Sequence, residues 1–318
     1  MKIMKRAVYI LFVAVLTLFS CSNKEQKKKV LDTPTSGVII MSADESFAPI
    51  IEEEIDLFEF TYPKASIIPI YTSEVEVMDL LLTDSVRFAI TTRDFSMEEK
   101  NLIRSKKMIP VSFCIAKDAI ALIINKNNPD SMLTVKQVKD ILTGKITSWK
   151  EINPKSKLKE LSLTFDNKNS STVRYALDSI CKGEPLASKN IYAQGTNEKV
   201  IDYVAATPGA IGVIGASWIG NEKDSTNMSF SDKVRVVAMS RDGVATPINS
   251  YQPYQAYIAL DYYPFTRHVY ALNTSSRTGL VRGFSNFLAS DKGQLIILKA
   301  GMMPTTQQVV IKPVKISD

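Results

Sequence analysis

Histidine and cysteine are both scarce in this chain. His268 is the one histidine among 318 residues, and three cysteines are present, Cys21, Cys114 and Cys181. A single histidine argues against a His-ligated metal site and against catalysis by a Ser-His-Asp or Cys-His arrangement. The sequence therefore predicts no metal, no cofactor and no catalytic residue, and it points away from an enzyme. Cys114 and Cys181 are expected either to pair or to be buried thiols.

Nucleotide-binding motifs and an excess of charge in the folded part are also missing. The chain has no G-x-G-x-x-G motif, and Gly144-Lys145 lacks the first glycine of a P-loop. The net charge of +6 comes entirely from residues 1–29, which hold seven Lys or Arg residues and one Glu. The rest of the chain is neutral, so it lacks the basic surface expected of a nucleic-acid binder.

The long apolar run at the N-terminus is too short to cross a membrane. The chain begins MKIMKR and is apolar from Ala7 to Phe19, against roughly 20 residues for a spanning helix. This pattern is typical of a secretory signal peptide over residues 1–20. Cys21 follows directly and resembles a bacterial lipobox cysteine, which predicts lipidation there; a plain signal with an incidental cysteine is the alternative. Residues 21–36 are polar and lysine-rich, which predicts a tether.

The remaining residues alternate β-branched runs with capped helical patterns. Strands are predicted at 38–41, 67–71, 87–91, 111–115, 119–124, 161–165, 210–214, 234–239, 254–260 and 268–272. Helices are predicted at 46–60, 73–82, 96–107, 134–142, 171–181, 198–206, 279–288 and 292–300. Such alternation predicts an α/β fold with mostly parallel sheet, and the length leaves room for two domains.

A hydroxyl-bearing turn between a strand and a helix recurs four times. The four turns are Asp44-Glu45-Ser46-Phe47, Tyr71-Thr72-Ser73-Glu74, Thr91-Thr92-Arg93-Asp94 and Asn169-Ser170-Ser171-Thr172. In a parallel sheet such turns lie at one edge, where helix N-termini and hydroxyls can converge on a small anion. The alternative is ordinary helix capping, because Ser73-x-x-Glu76 and Ser96-x-x-Glu99 read as capping boxes. The pattern alone leaves both interpretations open.

Four segments closely resemble the phosphate-binding subunits of ABC transporters. They are AKDAIALIINKNNPDSMLTVKQVKDILTGKITSWKEI (116–152), TNEKVIDYVAATPGAIGVIGASWI (196–219), DYYPFTRHVYALN (261–273) and VRGFSNFLASDKGQLIILKAGMMP (281–304). The resemblance extends over residues 37–305 and is to the phosphate-type branch of the class II periplasmic binding proteins.

The resemblance implies a two-lobed α/β clamshell, each lobe a mostly parallel sheet flanked by helices. The first lobe would comprise residues 37–118 and 252–318, and the second the inserted residues 119–251. A monomer of this kind would be exported, be held by the lipid on Cys21 and face the periplasm or cell exterior. It would close around inorganic phosphate or a similar oxyanion, pass it to an ABC permease in the membrane, and catalyse nothing.

The resemblance also implies a set of ligand-binding residues, which would donate N–H and O–H groups to the oxyanion. Matched position by position, these are Ser46, Phe47, Ser73, Thr92, Arg93, Ser170, Ser171 and Thr172. Arg93 would add charge-assisted bonds.

Several acidic residues depart from the family pattern. Asp166 stands where the family commonly has a phosphate-binding arginine, Glu74-Val75-Glu76 replaces a usual Gly-Ser-Gly, and the first turn carries Asp44 and Glu45. Two like charges about 4 Å apart cost about 4 kcal/mol at an effective dielectric near 20. Either these carboxylates face solvent, with Arg93, Lys168 or Arg174 replacing the missing arginine, or the ligand is not phosphate.

One acid can instead favour phosphate over sulfate, because phosphate near neutral pH carries a proton that a carboxylate accepts. Asp94 and Asp166 are the candidates for this selectivity. Three other functions stay open: a binding protein for a different small molecule, a sensor or accessory lipoprotein without a permease, and an enzyme on the same fold.

Overall fold

The computed structural model describes residues 31–158, 160–220, 229–275 and 278–307. The chain divides into two units, Met1–Leu31 and Asp32–Asp318, and every element below belongs to the second. The predicted signal peptide (1–20), Cys21 and most of the predicted tether lie outside the described residues. None of the helices in the described ranges combines the length and apolar character of a membrane span.

The strands of the described residues are short except for the one that starts at Val111. They are β1 Ser36–Asp44, β2 Lys64–Thr72, β3 Phe88–Thr91, β4 Val111–Asn125, β5 Met132–Thr134, β6 Ser162–Phe165, β7 Ile191–Ala193, β8 Ala210–Gly215, β9 Val234–Val236, β10 Ala238–Ser240, β11 Thr266–Asn273 and β12 Met303–Pro304.

The helices lie between these strands and at the end of the described chain. They are α1 Ala48–Thr61, α2 Glu74–Leu82, α3 Met97–Ser105, α4 Val135–Leu142, α5 Trp149–Ile152, α6 Ser171–Tyr175, α7 Asn197–Ala206, α8 Gln255–Ala259, α9 Leu280–Leu288 and α10 Asp291–Lys299. Glu45–Phe47 and Ala216–Ile219 form 3-10 turns, and Ala176–Ile180 continues α6 as a π-helix.

Ten of the strands form one continuous sheet. Its order is β2-β1-β3-β11-β4-β8-β6-β7, with β9 and β12 also paired to β4. The predicted parallel pairing holds for β1 with β2 and β3, and for β6 with β7 and β8. β4 and β11 pair antiparallel with their neighbours, so the sheet as a whole is mixed. The two antiparallel strands lie at its centre because β4 carries the chain away from the outer strands β1–β3 and β11 returns it to them.

The sheet is shared by two lobes, and each lobe has its own large hydrophobic core. The first lobe holds β1–β3, β11 and the start of β4, and Phe58 packs edge-on against Phe284 and Phe287 in its core. The second lobe holds β6–β8 and the end of β4, with Trp149 buried in its core. Ile258, Tyr263 and Phe265 also belong to the second core. The exact boundaries given above for the lobes stay a prediction.

Several predicted elements differ from the structure, and the strand predicted at 234–239 is two strands, β9 and β10. The prediction of a strand at 254–260 is wrong, because these residues form α8, whose Ile258 faces the second core and whose Gln255 amide donates to the Leu298 and Met302 carbonyls. The two strands predicted between residues 111 and 124 are one strand, β4. Cys114 and Cys181 are both free thiols, and Cys181 is buried.

Candidate functional site

The first turn follows β1 and positions Ser46 and Phe47. The Asp44 Oδ1 atom accepts a hydrogen bond from the Ser46 backbone N–H at 2.8 Å, which closes the 3-10 turn ahead of α1. Ser46 is fully buried, and its Oγ has no hydrogen-bond partner. The Phe47 ring lies 5.0 Å from the guanidinium carbon of Arg267, a cation–π contact. The turn therefore presents a buried hydroxyl beside a cation.

The second and third turns meet at the carboxylate of Glu74, the first residue of α2. Its Oε1 atom accepts from Thr91 Oγ1 at 2.7 Å, from the Thr92 backbone N–H at 2.9 Å and from Thr92 Oγ1 at 2.7 Å. Glu74 is only 3% exposed. The donors that end β3 thus bind a carboxylate of the protein itself.

Arg174 of α6 reaches the same carboxylate from the second lobe. Its Nε donates to Glu74 Oε2, and its Nη2 donates to Glu74 Oε1 at 3.3 Å and to Thr92 Oγ1 at 2.7 Å. Burial alone would raise the pKa of Glu74, but the bonds from Arg174, Thr92 and Thr91 outweigh it and lower that pKa to about 2. Glu74 is therefore ionised at neutral pH and links the two lobes.

The fourth turn follows β6 and begins α6. Ser170 is the N-cap, and its Oγ accepts from the Val173 backbone N–H at 3.4 Å. Thr172 Oγ1 donates to Asp166 Oδ1 at 2.7 Å and lies 2.8 Å from Ser170 Oγ. All three predicted hydroxyls of this turn, those of Ser170, Ser171 and Thr172, are buried. Asp166 is buried with them and does not face solvent.

A buried ion pair on β4 and β11 supports this turn. Arg267 Nε donates to Asp118 Oδ2 at 2.9 Å, and Arg267 Nη1 donates to Ser171 Oγ at 2.7 Å. Arg267 Nη2 and Asp118 Oδ1 are buried without a partner. Burial would lower the pKa of Arg267, but the carboxylates of Asp118 and Asp44 raise it, so the guanidinium stays charged. Arg267 brings a fixed positive charge to the boundary between the lobes.

Further hydrogen bonds connect the first turn to the second lobe. The Asn197 backbone N–H donates to Glu45 Oε1 at 3.3 Å, and the Asn197 side-chain amide donates to Glu45 Oε2. The Ser46 carbonyl accepts from the Trp218 indole N–H at 2.9 Å and from Ser217 Oγ at 3.4 Å. These contacts place the first turn against the N-terminus of α7 and the end of β8.

Acidic groups outnumber basic ones in this cleft. Asp44, Glu45, Glu74, Asp118 and Asp166 face two guanidinium groups, those of Arg174 and Arg267. Burial raises the pKa of Asp44 to about 6 and that of Glu45 to about 7. Two of the five carboxyls therefore take up protons just below neutral pH, which reduces the negative charge of the cleft.

The structure does not bring every predicted residue into this cluster. Arg93 forms a two-bond ion pair with Glu99 of α3, at 2.8 and 2.6 Å, inside the first lobe. Asp94 is exposed and pairs with Lys100 at 2.9 Å. Ser73 is half-buried, and its side chain does not cap α2, so the capping box predicted with Glu76 is not formed. The box of Ser96 with Glu99 is formed as predicted.

An open groove of about 290 Å³ lies beside the cluster and is lined by both lobes. Glu74 and Arg174 form part of its wall, together with Arg93 and Lys168. Within the described ranges, no group of three or more His, Cys, Asp or Glu side chains is arranged to hold a metal ion.

Sequence reasoning missed the roles of Arg267, Asp118 and Asn197. Asp118 lies between two predicted apolar strands and Arg267 lies directly before another, so the local pattern reads both as loop residues. Once buried, a charged residue needs a partner. Nothing in the local sequence tells which partner it has, since Asp118 and Arg267 are 149 positions apart.

Comparison with known proteins identifies the family. Residues 30–292 match the sequence model of the PBP superfamily domain, which is more than half of the chain. The chain belongs to the PBP superfamily. Solved structures with the same fold include a substrate-binding protein with bound phosphate from Clostridium perfringens, with a TM-score of 0.70, 24% identity, and coverage of 85% of this chain and 100% of that one. An ABC-type phosphate transport receptor from Vibrio cholerae has a TM-score of 0.63, 19% identity, and coverage of 85% and 100%.

Curated relatives of this member of the superfamily are about a quarter identical to it over the aligned residues. The phosphate-binding protein PstS of Bacillus subtilis (strain 168) is 26% identical over 329 residues, covering 98% of each chain. The phosphate-binding protein PstS of Staphylococcus saprophyticus is 25% identical over 218 residues, covering 67% of this chain and 63% of that one.

Proposed function

We propose that this protein is a solute-binding protein that captures phosphate, or a related oxyanion, between its two lobes and delivers it to an ABC importer. The observation that carries the proposal is a set of buried polar atoms without partners where the lobes meet. Asp44 Oδ2 and Ser46 Oγ belong to the first lobe, Asn197 Oδ1 to the second, and Arg267 Nη2 lies between them. Buried polar groups are normally paired, so such a set fits a polar ligand.

These atoms suit an oxyanion that keeps a proton. Arg267 and Ser46 donate, whereas Asp44 and Asn197 accept. A Cβ added to Gly215 would lie 3.5 Å from Arg267 Nη2 and 3.7 Å from Ser46 Cβ, so the two donors border the same place. Phosphate offers both P–O acceptors and a P–OH donor to such a set. The phosphate-binding names of the relatives support the same choice.

The remaining parts of the proposal rest on the sequence patterns described above. We infer an exported monomer that is anchored by lipid at Cys21, faces the periplasm or cell exterior, works with a membrane permease and has no catalytic activity. Ser46, Phe47, Ser73 and Ser170–Thr172 stay the proposed ligand contacts, with Arg267 added, whereas Thr92 and Arg93 are held by Glu74 and Glu99. Asp166 stays a proposed selectivity acid beside Asp44, whereas the exposure of Asp94 argues against that role for it.

A second candidate is a small solute that is not an anion. The specific observation in its favour is the excess of carboxylates in the cleft, five against two guanidinium groups.

Isothermal titration calorimetry of the purified chain with phosphate decides between the two. We expect heat and one-site saturation with phosphate, and at least tenfold weaker binding in Arg267→Met, because that variant loses a buried charge-assisted donor. Arg241→Met is the matched control, since Arg241 is half exposed and donates to the Asp261 and Tyr263 carbonyls. No heat with phosphate or with other oxyanions at any pH between 5.5 and 8 would refute the proposal in favour of the second candidate.

A further inference from the structure

Glu74 receives the kinds of bonds that a bound oxyanion receives. Its carboxylate accepts from two threonine hydroxyls, one backbone N–H and one guanidinium, and the bonds from Thr91 and Thr92 are 2.7 to 2.9 Å long. Charged acceptors form the strongest hydrogen bonds with such donors. The carboxylate of the chain therefore makes the contacts at this end of the cleft that a ligand oxygen would otherwise make.

The donors around Glu74 come from both lobes. Thr91 and Thr92 end β3 of the first lobe, and Arg174 belongs to α6 of the second. Asn169, at the start of the fourth turn, also accepts from the Val75 backbone N–H at 3.4 Å. Glu74 thus accepts bonds from both lobes, as an anion bound between them would.

The charge of Glu74 also acts on any ligand beside it. Glu74 is buried and ionised; burial raises the pKa of Asp44 most, Arg267 lowers it, and the charges of Glu74 and Asp166 raise it further. A ligand that contacts Ser46, Asp44 and Arg267 is therefore attracted by the Arg267 guanidinium and repelled by the buried carboxylates of Glu74 and Asp166. A permanent dianion such as sulfate is repelled there, whereas phosphate can bring a proton and a smaller charge.

We propose that Glu74 is a specificity-determining residue, an internal anion that occupies the donors Thr91, Thr92 and Arg174 and thereby restricts the cleft to oxyanions that carry a proton. The proposal rests on the function proposed above, because it names the charge of the ligand that the same cleft accepts. Glu74, in the second turn, would account for most of the discrimination against sulfate.

Calorimetry with sulfate and with phosphate at pH 7 tests this assignment. In the wild type we expect phosphate to bind and sulfate to bind at least a hundredfold more weakly. Glu74→Gly removes the carboxylate and leaves its donors to the ligand, so it should strengthen sulfate binding at least tenfold. Glu74→Gln keeps the volume but removes the charge, and it should shift sulfate affinity in the same direction. Adding Arg174→Ala to Glu74→Gly should abolish the gain.

Glu76→Gly is the matched control. Glu76 lies on the same helix, is exposed and accepts a bond from Thr72 Oγ1, so its substitution removes one charge and adds one helical glycine without touching the cleft. Thermal melting checks that each variant is folded. Unchanged sulfate affinity in folded Glu74→Gly and Glu74→Gln, or an equal gain in Glu76→Gly, overturns the role of Glu74 while leaving phosphate binding by the wild type intact. Absence of phosphate binding in the wild type refutes the proposed function, and the sulfate comparison still decides the role of Glu74.

Discussion

At the scale of single residues, the burial of the Glu54 carboxyl in the first lobe is unfavourable. Glu54 is fully buried on α1, and neither of its carboxylate oxygens has a hydrogen-bond partner. Burial, with a smaller effect of Glu53, raises the pKa of Glu54 to about 9. The folded protein therefore keeps the proton up to about pH 9, whereas the unfolded chain loses it near 4.5. The contribution of Glu54 to stability therefore falls as pH rises between these two values.

Replacing Glu54 with methionine should stabilise the protein, and more so at higher pH. Methionine has a similar volume and brings no polar group, so we expect a gain of about 2–4 kcal/mol in the free energy of unfolding at pH 8 and less at pH 5. Urea denaturation at both pH values measures it. Glu53→Met, at an exposed position on the same helix, should change stability little; a loss in Glu54→Met at pH 8 would contradict the prediction.

Asp118 has the opposite character, because its charge is paired. Asp118→Asn leaves the buried Arg267 guanidinium without its carboxylate, and breaking a buried pair from one side costs about 3 kcal/mol or more. Asp261→Asn is the control, since Asp261 is 70% exposed and its ion pairs with Lys117 and Arg241 are at the surface. Denaturation curves of the two variants should differ clearly; equal losses would show that the Arg267 pair contributes nothing special.

At the scale of elements, the two capping boxes predicted from sequence have different outcomes. Ser96 caps α3 through its hydroxyl, whereas Ser73 precedes α2 without a side-chain cap bond. The sequence pattern S-x-x-E is the same in both. The difference arises because the Glu76 carboxylate accepts from Thr72 Oγ1 instead of from the Ser73 backbone. In addition, Glu74, which follows Ser73, is held in the cleft by bonds from Thr91, Thr92 and Arg174.

Alanine substitutions should separate these two serines. Ser96→Ala loses a formed cap and should cost about 1 kcal/mol of stability. Ser73→Ala loses no cap bond, so its free energy of unfolding should stay within about 0.5 kcal/mol of the wild type. Chemical denaturation of the two variants side by side is sufficient, and a larger loss in Ser73→Ala would contradict the structure of this turn.

Most strands and helices follow from local patterns, and the exceptions have physical reasons. The alternation of apolar residues and the capping residues of α3 and α4 are local signals, and both helices start where the sequence predicts. The continuity of β4 is not a local property: Lys117 and Asp118 look like a break, but Arg267 satisfies Asp118 and the strand continues. In α8 the apolar spacing fits either period, and packing of Ile258 on the second core decides for the helix.

The candidate site was only partly accessible from the sequence. Hydroxyl-rich turns after strands are local signals, and those holding Ser46, Thr92 and Ser170–Thr172 do meet at the cleft. Tertiary contacts, and not the local sequence, determine which acidic side chains are buried in the cleft. Glu74 and Asp166 are buried because their partners, Arg174 and Thr172, are placed there by the fold, whereas Asp94 turns outward to Lys100.

At the scale of the whole molecule, the two lobes share a sheet and also touch through side chains. β4 runs through both lobes, and the contacts of Glu74 with Arg174 and of Glu45 with Asn197 cross the cleft. Some of the contacts that hold the lobes together are therefore made by the chain itself. Lobe separation then depends on these residues as well as on a ligand.

Arg174→Ala should increase the mean separation of the lobes. It removes the cation that bonds to Glu74 and Thr92 across the cleft, so small-angle X-ray scattering should give a larger radius of gyration than for the wild type. Arg93→Ala is the control, because the Arg93–Glu99 pair lies within the first lobe. If both variants scatter like the wild type, the bond to Glu74 does not contribute to closure.

The bond between Glu74 and Arg174 has a consequence for energy coupling. In a protein whose lobes meet only across their cargo, the distance between the lobes reports whether cargo is present. Here a side chain of the protein makes part of that connection, so the distance is a less reliable signal of loading. A transporter that responds to lobe distance alone would hydrolyse ATP on docking with copies of the binding protein that hold no solute. It would then use more ATP per solute than a transporter whose binding protein closes only when solute is bound.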